Sequence, residues 1–358
     1  MLAELTIKHL RNISALTFEP SAGMNLLLGD NGSGKTSLLE AIHLLGLGRS
    51  FRTRSLKTVI QFQQPYMQVI AKTAFQQMPI GLQYGIAEGL EIRLNNAPLK
   101  KLSELAVELP LQFIPANCHQ FFEQGPKYRR QLVDWGLFHV EPNFNFHWQS
   151  YKKVIQQRNS AIRQYKKTAE IQLWDKHLIF HGEEIDKQRL RRLETLLTEF
   201  RIIFPTICPD YAGQDFSLKY RSGWTKDLSL QQTISTTIDR DKQLGYTRSG
   251  PHAADWSFRV NGYDPSEIFS RGQQKLFFMA LCMAQIKTTS QNADNAKSIL
   301  LIDDISSELD RSHQEIILEK LDQLEVQTFI TSTDTSLTNL VKTSSAFSAF
   351  HVEQGCLI

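Results

Sequence analysis

Met24-Asn25-Leu26-Leu27-Leu28-Gly29-Asp30-Asn31-Gly32-Ser33-Gly34-Lys35-Thr36 sets an apolar run directly against a glycine-rich loop ending in Lys-Thr. The last eight residues fit G-x-x-x-x-G-K-[ST], a pattern that marks a phosphate-binding loop when a strand precedes it and a helix follows. Both conditions are met. The helix is read from Ser37 to Leu45, where Leu38, Leu39, Ile42 and Leu45 fall at three- and four-residue spacing and form one apolar face to pack on a sheet. Gly29, Gly32 and Gly34 let the backbone curl so that successive N–H groups point at phosphate oxygens, with Asp30, Asn31 and Ser33 completing the loop. Lys35 supplies a point charge for the β- and γ-phosphates, and Thr36 is placed to give its hydroxyl to Mg2+. The loop therefore predicts ATP with magnesium as the bound species.

A loop of this kind needs an acidic partner for the metal at the end of a neighbouring buried strand. Ser298-Ile299-Leu300-Leu301-Ile302-Asp303-Asp304 supplies one. Asp303 is predicted to hold the metal, and Asp304 to orient or activate the attacking water. Alone, a strand ending in Asp-Asp reads as a solvated turn; the phosphate loop gives it chemistry.

Working outward, Leu5, Ile7 and His9, then Leu16 and Phe18, alternate as strands, and short strands return from about Val59 to Leu99 as an antiparallel annex. Pro79-Ile80-Gly81 and Leu94-Asn95-Asn96 read as its turns. After Pro110 long helical periods take over, including Phe146 to Lys167 and Leu178 to Ile203, read as solvated helices of an arm. Strands resume after Gly245, with Ile299 to Ile302 and Thr328 to Ile330 flanking a helix from Ser312 to Leu324. The expected fold class is α/β, with a head of residues 1–115 and 245–358 and an inserted basic helical arm at 116–244. Net charge is only +3, but between Lys127 and Arg201 there are 15 Lys and Arg against 9 Asp and Glu. Such an excess points to an acidic partner. Four scattered cysteines suit a reducing cytosol, and the first residues alternate like a strand instead of forming a signal peptide. The expected location is the cytoplasm.

Phe269-Ser270-Arg271-Gly272-Gln273-Gln274-Lys275 resembles the signature loop of ABC-type ATPases, and Ser307-Glu308-Leu309-Asp310 resembles their D-loop. That resemblance implies that Ser270, Gly272 and Gln273 of one molecule close on the γ-phosphate held by another, so that ATP joins two heads. Ser270 and Gly272 stand where a helix opens, and a helix N-terminus attracts phosphate. The order of phosphate loop, helical insertion, signature, Asp-Asp and D-loop resembles, end to end, the RecF family of bacterial recombination mediators. Phe51-Arg52-Thr53 after Gly48-Arg49-Ser50, Gly125-Pro126-Lys127-Tyr128-Arg129-Arg130, and Gly250-Pro251-His252 followed by Asp255 carry the same resemblance. It implies an ABC-type P-loop ATPase head and a DNA-binding, weakly ATP-hydrolysing protein whose ATP-bound homodimer, with RecO and RecR proteins, helps load recombinase onto gapped or single-stranded DNA or junctions. It also implies that Arg11 and Asn12 approach adenine or ribose.

Two departures from the ABC pattern matter. Asp304 stands where many of those ATPases carry glutamate, and a shorter carboxylate suits slow, switch-like turnover. Thr331-Ser332-Thr333-Asp334 has no histidine where transporters place one to contact the γ-phosphate, leaving a hydroxyl to substitute. Candidate DNA-phosphate contacts are Arg49, Arg52, Arg54 and Lys57 beyond the first helix and Lys127, Arg129 and Arg130 at the start of the arm. With no helix-turn-helix or zinc-finger signal, these would read backbone and shape. A transporter's motor subunit is disfavoured by the basic insertion and the missing histidine, and a small-molecule kinase by the signature and D-loop. Lys35→Ala is expected to abolish nucleotide binding; tight binding retained in a fluorescence titration would remove the phosphate-loop assignment.

Overall fold

The computed structural model describes residues 1–75, 77–290, 298–341 and 346–358. They cluster into two compact units, one of residues 1–118, 206–208 and 271–358 and one of residues 119–205 and 209–270.

The first unit holds two six-stranded sheets. β1 (Leu2–Leu10) buries Leu2, Leu5, Ile7 and Leu10; strict alternation holds from Leu5 to Ile7, and it is offset on either side by a register shift between Leu2 and Glu4 and by His9 at φ 55°. It pairs antiparallel with β2 (Ile13–Phe18) and β4 (Tyr66–Thr73), and the sheet continues through β5 (Pro79–Gly85), β6 (Gly89–Leu94) and β7 (Ala97–Pro98). Asn95 and Asn96, at φ 49° and 64°, make the expected tight turn between β6 and β7. Pro79-Ile80-Gly81 is not a turn: Pro79 opens β5 opposite Lys72, a strand position where a missing N–H is tolerated.

The second sheet runs β14-β13-β3-β12-β11-β8 and is parallel apart from its β14 edge. Its strands are β3 (Met24–Leu28), β8 (Leu111–Ile114), β11 (Ile299–Ile302), β12 (Gln327–Ser332), β13 (Phe347–Glu353) and β14 (Cys356–Leu357). In β3, β11 and β12 every residue is buried; β11 is wholly apolar, whereas β3 also buries Asn25 and β12 also buries Gln327, Thr328, Thr331 and Ser332.

The helix Lys35–Leu47 packs against strands of both sheets. Its expected single apolar face is therefore too narrow a reading. From Ser37 to Gly46 every residue is buried, in one core with Ile7, Val69 and Leu82 of the antiparallel sheet and Leu27, Leu301 and Phe329 of the parallel one. A helix enclosed on all sides must pair its polar side chains internally. Glu40 does so through Arg11 and Ser50, and His43 through the Arg49 carbonyl.

The second unit contains the helices Gly125–Val140 and Phe144–Arg163, most of the helix Asp175–Ile207, and the antiparallel pair β9 (Phe216–Arg221) and β10 (Asp255–Val260). Because β10 pairs with β9, residues 245–270 cluster here, and the return to the first unit falls at Arg271, not at Gly245. Nor are these helices simply solvated. Val133, Phe144, Tyr151, Leu178, Leu193 and Phe200 are buried, and three arginines of the basic stretch turn inward to carboxylates. Arg158 pairs with Asp175 and Asp241 at 2.8 and 2.7 Å, Arg189 with Asp134 at 2.7 Å, and Arg129 with Asp255 at 2.8 Å. No helix among the described residues is long and apolar enough to cross a membrane.

His43 carries a pH signature. A carbonyl only accepts, so Nδ1 is the protonated nitrogen of a neutral ring, 2.7 Å from the Arg49 oxygen. Burial pushes its pKa from 6.5 down to about 4. With the folded-state value depressed, stability is undiminished above about 6.5 and falls as pH drops toward 4, by roughly 3 kcal/mol over the full span. His43→Gln keeps a donor for Arg49 and should remove that component from the pH dependence of urea unfolding.

Candidate nucleotide and magnesium site

Parallel strands put all their carboxyl ends along one edge of a sheet, where ligands of α/β proteins collect. At that edge β12 lies between β3 and β11, with Ser332 beside Leu28 and Ile330 beside Ile302. The residues immediately beyond are the phosphate loop after β3 and Asp303-Asp304 after β11. Strand order alone thus brings together two motifs some 270 positions apart.

Gly29 and Gly34 sit at φ 146° and 121°, conformations closed to other residues at acceptable strain. Space forbids substitution too: a Cβ on Gly29 would lie 2.3 Å from the Val352 carbonyl oxygen. The loop is pinned from outside. Gly355 N–H, in the turn before β14, donates to the Ser33 carbonyl at 2.7 Å, and the Asn12 amide donates to the same oxygen at 3.1 Å while accepting from Ser37 Oγ at 3.0 Å. Asn12, which the family resemblance directed toward the nucleoside, therefore also braces the loop.

Lys35 Nζ donates to the Gly29 and Asp30 carbonyls, both at 2.7 Å. Burial lowers the pKa of its ammonium, against the opposing charges of Asp304, Asp30 and Asp303. The helix Lys35–Leu47 begins at Gly34 with no side-chain cap, leaving its first-turn N–H groups to the loop's concave side. Ser33 Oγ is buried and has no hydrogen-bond partner among the described residues. Glycine positions that exclude a Cβ, an uncapped helix start and an orphan hydroxyl fit a bound phosphate.

Thr36 Oγ1 donates to Asp303 Oδ1 at 3.0 Å, and Thr331 Oγ1 donates to the same oxygen at 2.8 Å. A hydroxyl and a carboxylate side by side are hard oxygen donors, the set Mg2+ prefers, with its remaining positions normally filled by substrate phosphate and water. Thr331 does more. Its Oγ1 also accepts from Asp304 N–H at 2.7 Å, so one hydroxyl fixes both acidic residues. Asp304 adopts φ 51°, which turns its side chain out of line with β11.

The helix Arg271–Ser290 begins one residue later than Ser270, and Gly272 lies in its first turn. There a Cβ would meet the Glu308 carbonyl oxygen at 2.7 Å, so glycine permits the close approach of helix and D-loop. Lys275, fully buried, donates from Nζ to the Asp304 and Ser307 carbonyls, both at 2.7 Å. Gln273 is half-buried and Ser270 exposed.

Among the DNA candidates, Arg49, Arg52, Arg54, Lys57 and Lys127 are exposed. Arg52 lies 3.7 Å from the buried Glu40 carboxylate, which also accepts from Arg11 and Ser50. Arg129 and Arg130 are half-buried and engaged internally, Arg129 with Asp255 and Arg130 with the Ala254 carbonyl at 2.6 Å.

The RecF/RecN/SMC N-terminal domain matches residues 1–357. Along 99% of its length the chain is 38% identical to the DNA replication and repair protein RecF of Nitrosococcus oceani, covering 98% of that protein. The chain belongs to the RecF family. RecF of Pseudomonas fluorescens is 39% identical over 99% of the chain and 97% of its own length. A solved structure of the recombination mediator RecF with ATP, described in the RecFOR pathway, superposes with a TM-score of 0.83 at 25% identity, over 100% of this chain and 96% of that one. An Smc head bound to the C-terminal winged-helix domain of ScpA shares the fold at a TM-score of 0.62 and 14% identity, over 99% and 95% of the two chains. The α/β ABC-type ATPase head read from the motifs is thus the fold of the RecF family, and neither a transporter motor nor a small-molecule kinase is favoured.

Lys275, Ser306 and the double role of Thr331 were not singled out from sequence. Lys275 had a local signal, a lysine set directly before the apolar run Leu276 to Ala284. Lys275→Met preserves side-chain length but strips two buried carbonyls of their donor. Urea unfolding should show a loss of about 1–3 kcal/mol.

Proposed function

We propose that the chain is an ATP-gated DNA-binding protein of replication, repair and the SOS response, which pairs with a second copy on ATP and helps load recombinase at gapped or single-stranded DNA. The convergence of Thr36, Asp303 and Thr331 on one oxygen carries this reading, because it unites the phosphate loop with the metal carboxylate. Gly29, Asp30, Asn31, Gly32, Ser33, Gly34 and Lys35 cradle the triphosphate. Thr36 and Asp303 hold Mg2+, which when bound screens the phosphate charge. Ser270, Gly272 and Gln273 of the second copy present a helix N-terminus to the γ-phosphate. Asp304 takes the proton of the attacking water as its oxygen bonds to the γ-phosphorus and the bond to the leaving ADP oxygen breaks. Slow hydrolysis then sets the lifetime of the pair.

Arg49, Arg52, Arg54, Lys57 and Lys127, being exposed, are the DNA-phosphate contacts. Arg129 and Arg130 support them by fixing their helix to Asp255 and Ala254. RecO and RecR proteins are the expected partners and the cytoplasm the expected compartment.

Sedimentation with and without ATP, in the presence and absence of gapped DNA, tests the reading. ATP should double the mass of the protein and leave Lys35→Ala monomeric, and DNA affinity should fall steeply with salt as counterions are released. An unchanged mass with ATP, together with salt-independent DNA binding, would overturn it.

A further inference from the structure

Ser306, between Asp304 and the D-loop, and Ser332, in the segment without a histidine, form a continuous line of hydroxyls ending on Asp304. Ser306 Oγ lies 3.1 Å from Asp304 Oδ1 and 3.0 Å from Ser332 Oγ, and Ser332 Oγ accepts from Asp334 N–H at 2.9 Å. The direction of this line is set by its ends. A backbone N–H only donates and an ionised carboxylate only accepts. Each serine has one proton, so Ser332 donates to Ser306 and Ser306 to Asp304. The line therefore runs from Asp334 N–H through Ser332 and Ser306 to Oδ1.

We infer that Ser306 and Ser332 are positioning residues for Asp304, linking the segment after β12 to the carboxylate that receives the proton of the attacking water. The inference rests on the reading of Asp304 as that base. Asp304 is held at three groups: its N–H by Thr331, its carbonyl by Lys275 and Oδ1 by Ser306. Oδ2 accepts no hydrogen bond from the described residues and is the oxygen left to receive a proton. Ser332 is 1% exposed, so its hydroxyl would find no substitute donor or acceptor in solvent. The segment without a histidine thus acts on the site through the carboxylate: what reaches Asp304 from Ser332 is orientation, handed on by Ser306.

Removing the Ser306 hydroxyl takes away the hydrogen bond that Oδ1 accepts and lets the side chain rotate. The test is steady-state ATP turnover with gapped DNA, beside ATP affinity by fluorescence. Ser306→Ala is expected to lower kcat by about tenfold, with ATP affinity changed by less than about twofold. Ser306→Thr, which restores the hydroxyl, should recover most of the rate. Ser332→Ala should show a smaller loss in the same direction, and Ser306→Ala with Ser332→Ala should lose no more than Ser306→Ala alone, as members of one line do. Wild-type turnover in both single alanine variants, or losses that simply add, would overturn the inference. If Ser306→Ala loses ATP affinity through misfolding, Ser306→Thr and Ser332→Ala decide by the same criteria. Asp304→Asn separates the two levels: its retained turnover removes Asp304 as the base, whereas its inactivity beside a fully active Ser306→Ala removes only the positioning line.

Discussion

One oxygen, Asp303 Oδ1, accepts hydrogen bonds from Thr36 and from Thr331, and this meeting requires β12 to lie between β3 and β11. Were the two strands neighbours, the phosphate loop and the acidic pair would be joined without an intermediary. With β12 between them, the residues at its end become part of the site. Thr331 then fixes Asp303 and the backbone of Asp304 with one hydroxyl, and Ser332 connects to Ser306. The phosphate loop itself has little freedom, because its helix is enclosed by both sheets and its backbone is held by Asn12 and Gly355.

Enclosure explains where the first unit places its charge. Glu40 and Lys275 are both 0% exposed, and an unpaired buried charge would cost several kcal/mol. Each is instead surrounded by partners: Arg11 and Ser50 for the carboxylate, two carbonyl oxygens for the ammonium. These groups tie surface segments to the core. Glu40 joins the turn after β1 to the segment carrying Arg49, Arg52 and Arg54, while Lys275 joins the signature helix to the D-loop. The inward-turned arginines of the second unit follow the same rule, and they subtract from the basic charge that a count along the chain assigns to its surface.

How much of this was readable in advance depended on how local the information is. Gly29 to Thr36 and Asp303-Asp304 were legible because loop curvature and strand burial are encoded by adjacent residues. The roles of Thr331, Ser306 and Ser332 were not, beyond the expectation of some hydroxyl within Thr331-Ser332-Thr333-Asp334, since hydroxyl residues are common and their roles exist only once the strand order is known. Glu40 left a usable trace, a carboxylate in a helix otherwise apolar on several faces, but its partners lie 29 positions before it and 10 after it. The boundary expected at Gly245 failed for a related reason: β10 looks like any short strand until its pairing with β9 assigns it to the second unit.

The parallel sheet also has a history written into its order. β3, its central strand, has only β12 and β13 as neighbours, and both are made more than 290 residues later. At synthesis rates of about 5–20 residues per second, the apolar run Met24 to Leu28 waits roughly 15–60 s for its first partner. Over that interval the second unit has been completed and can fold, while the nascent first unit holds an unpaired hydrophobic strand. The topology that gathers the nucleotide site at one edge thus makes that site form later than the second unit, and leaves its founding strand unpaired until then.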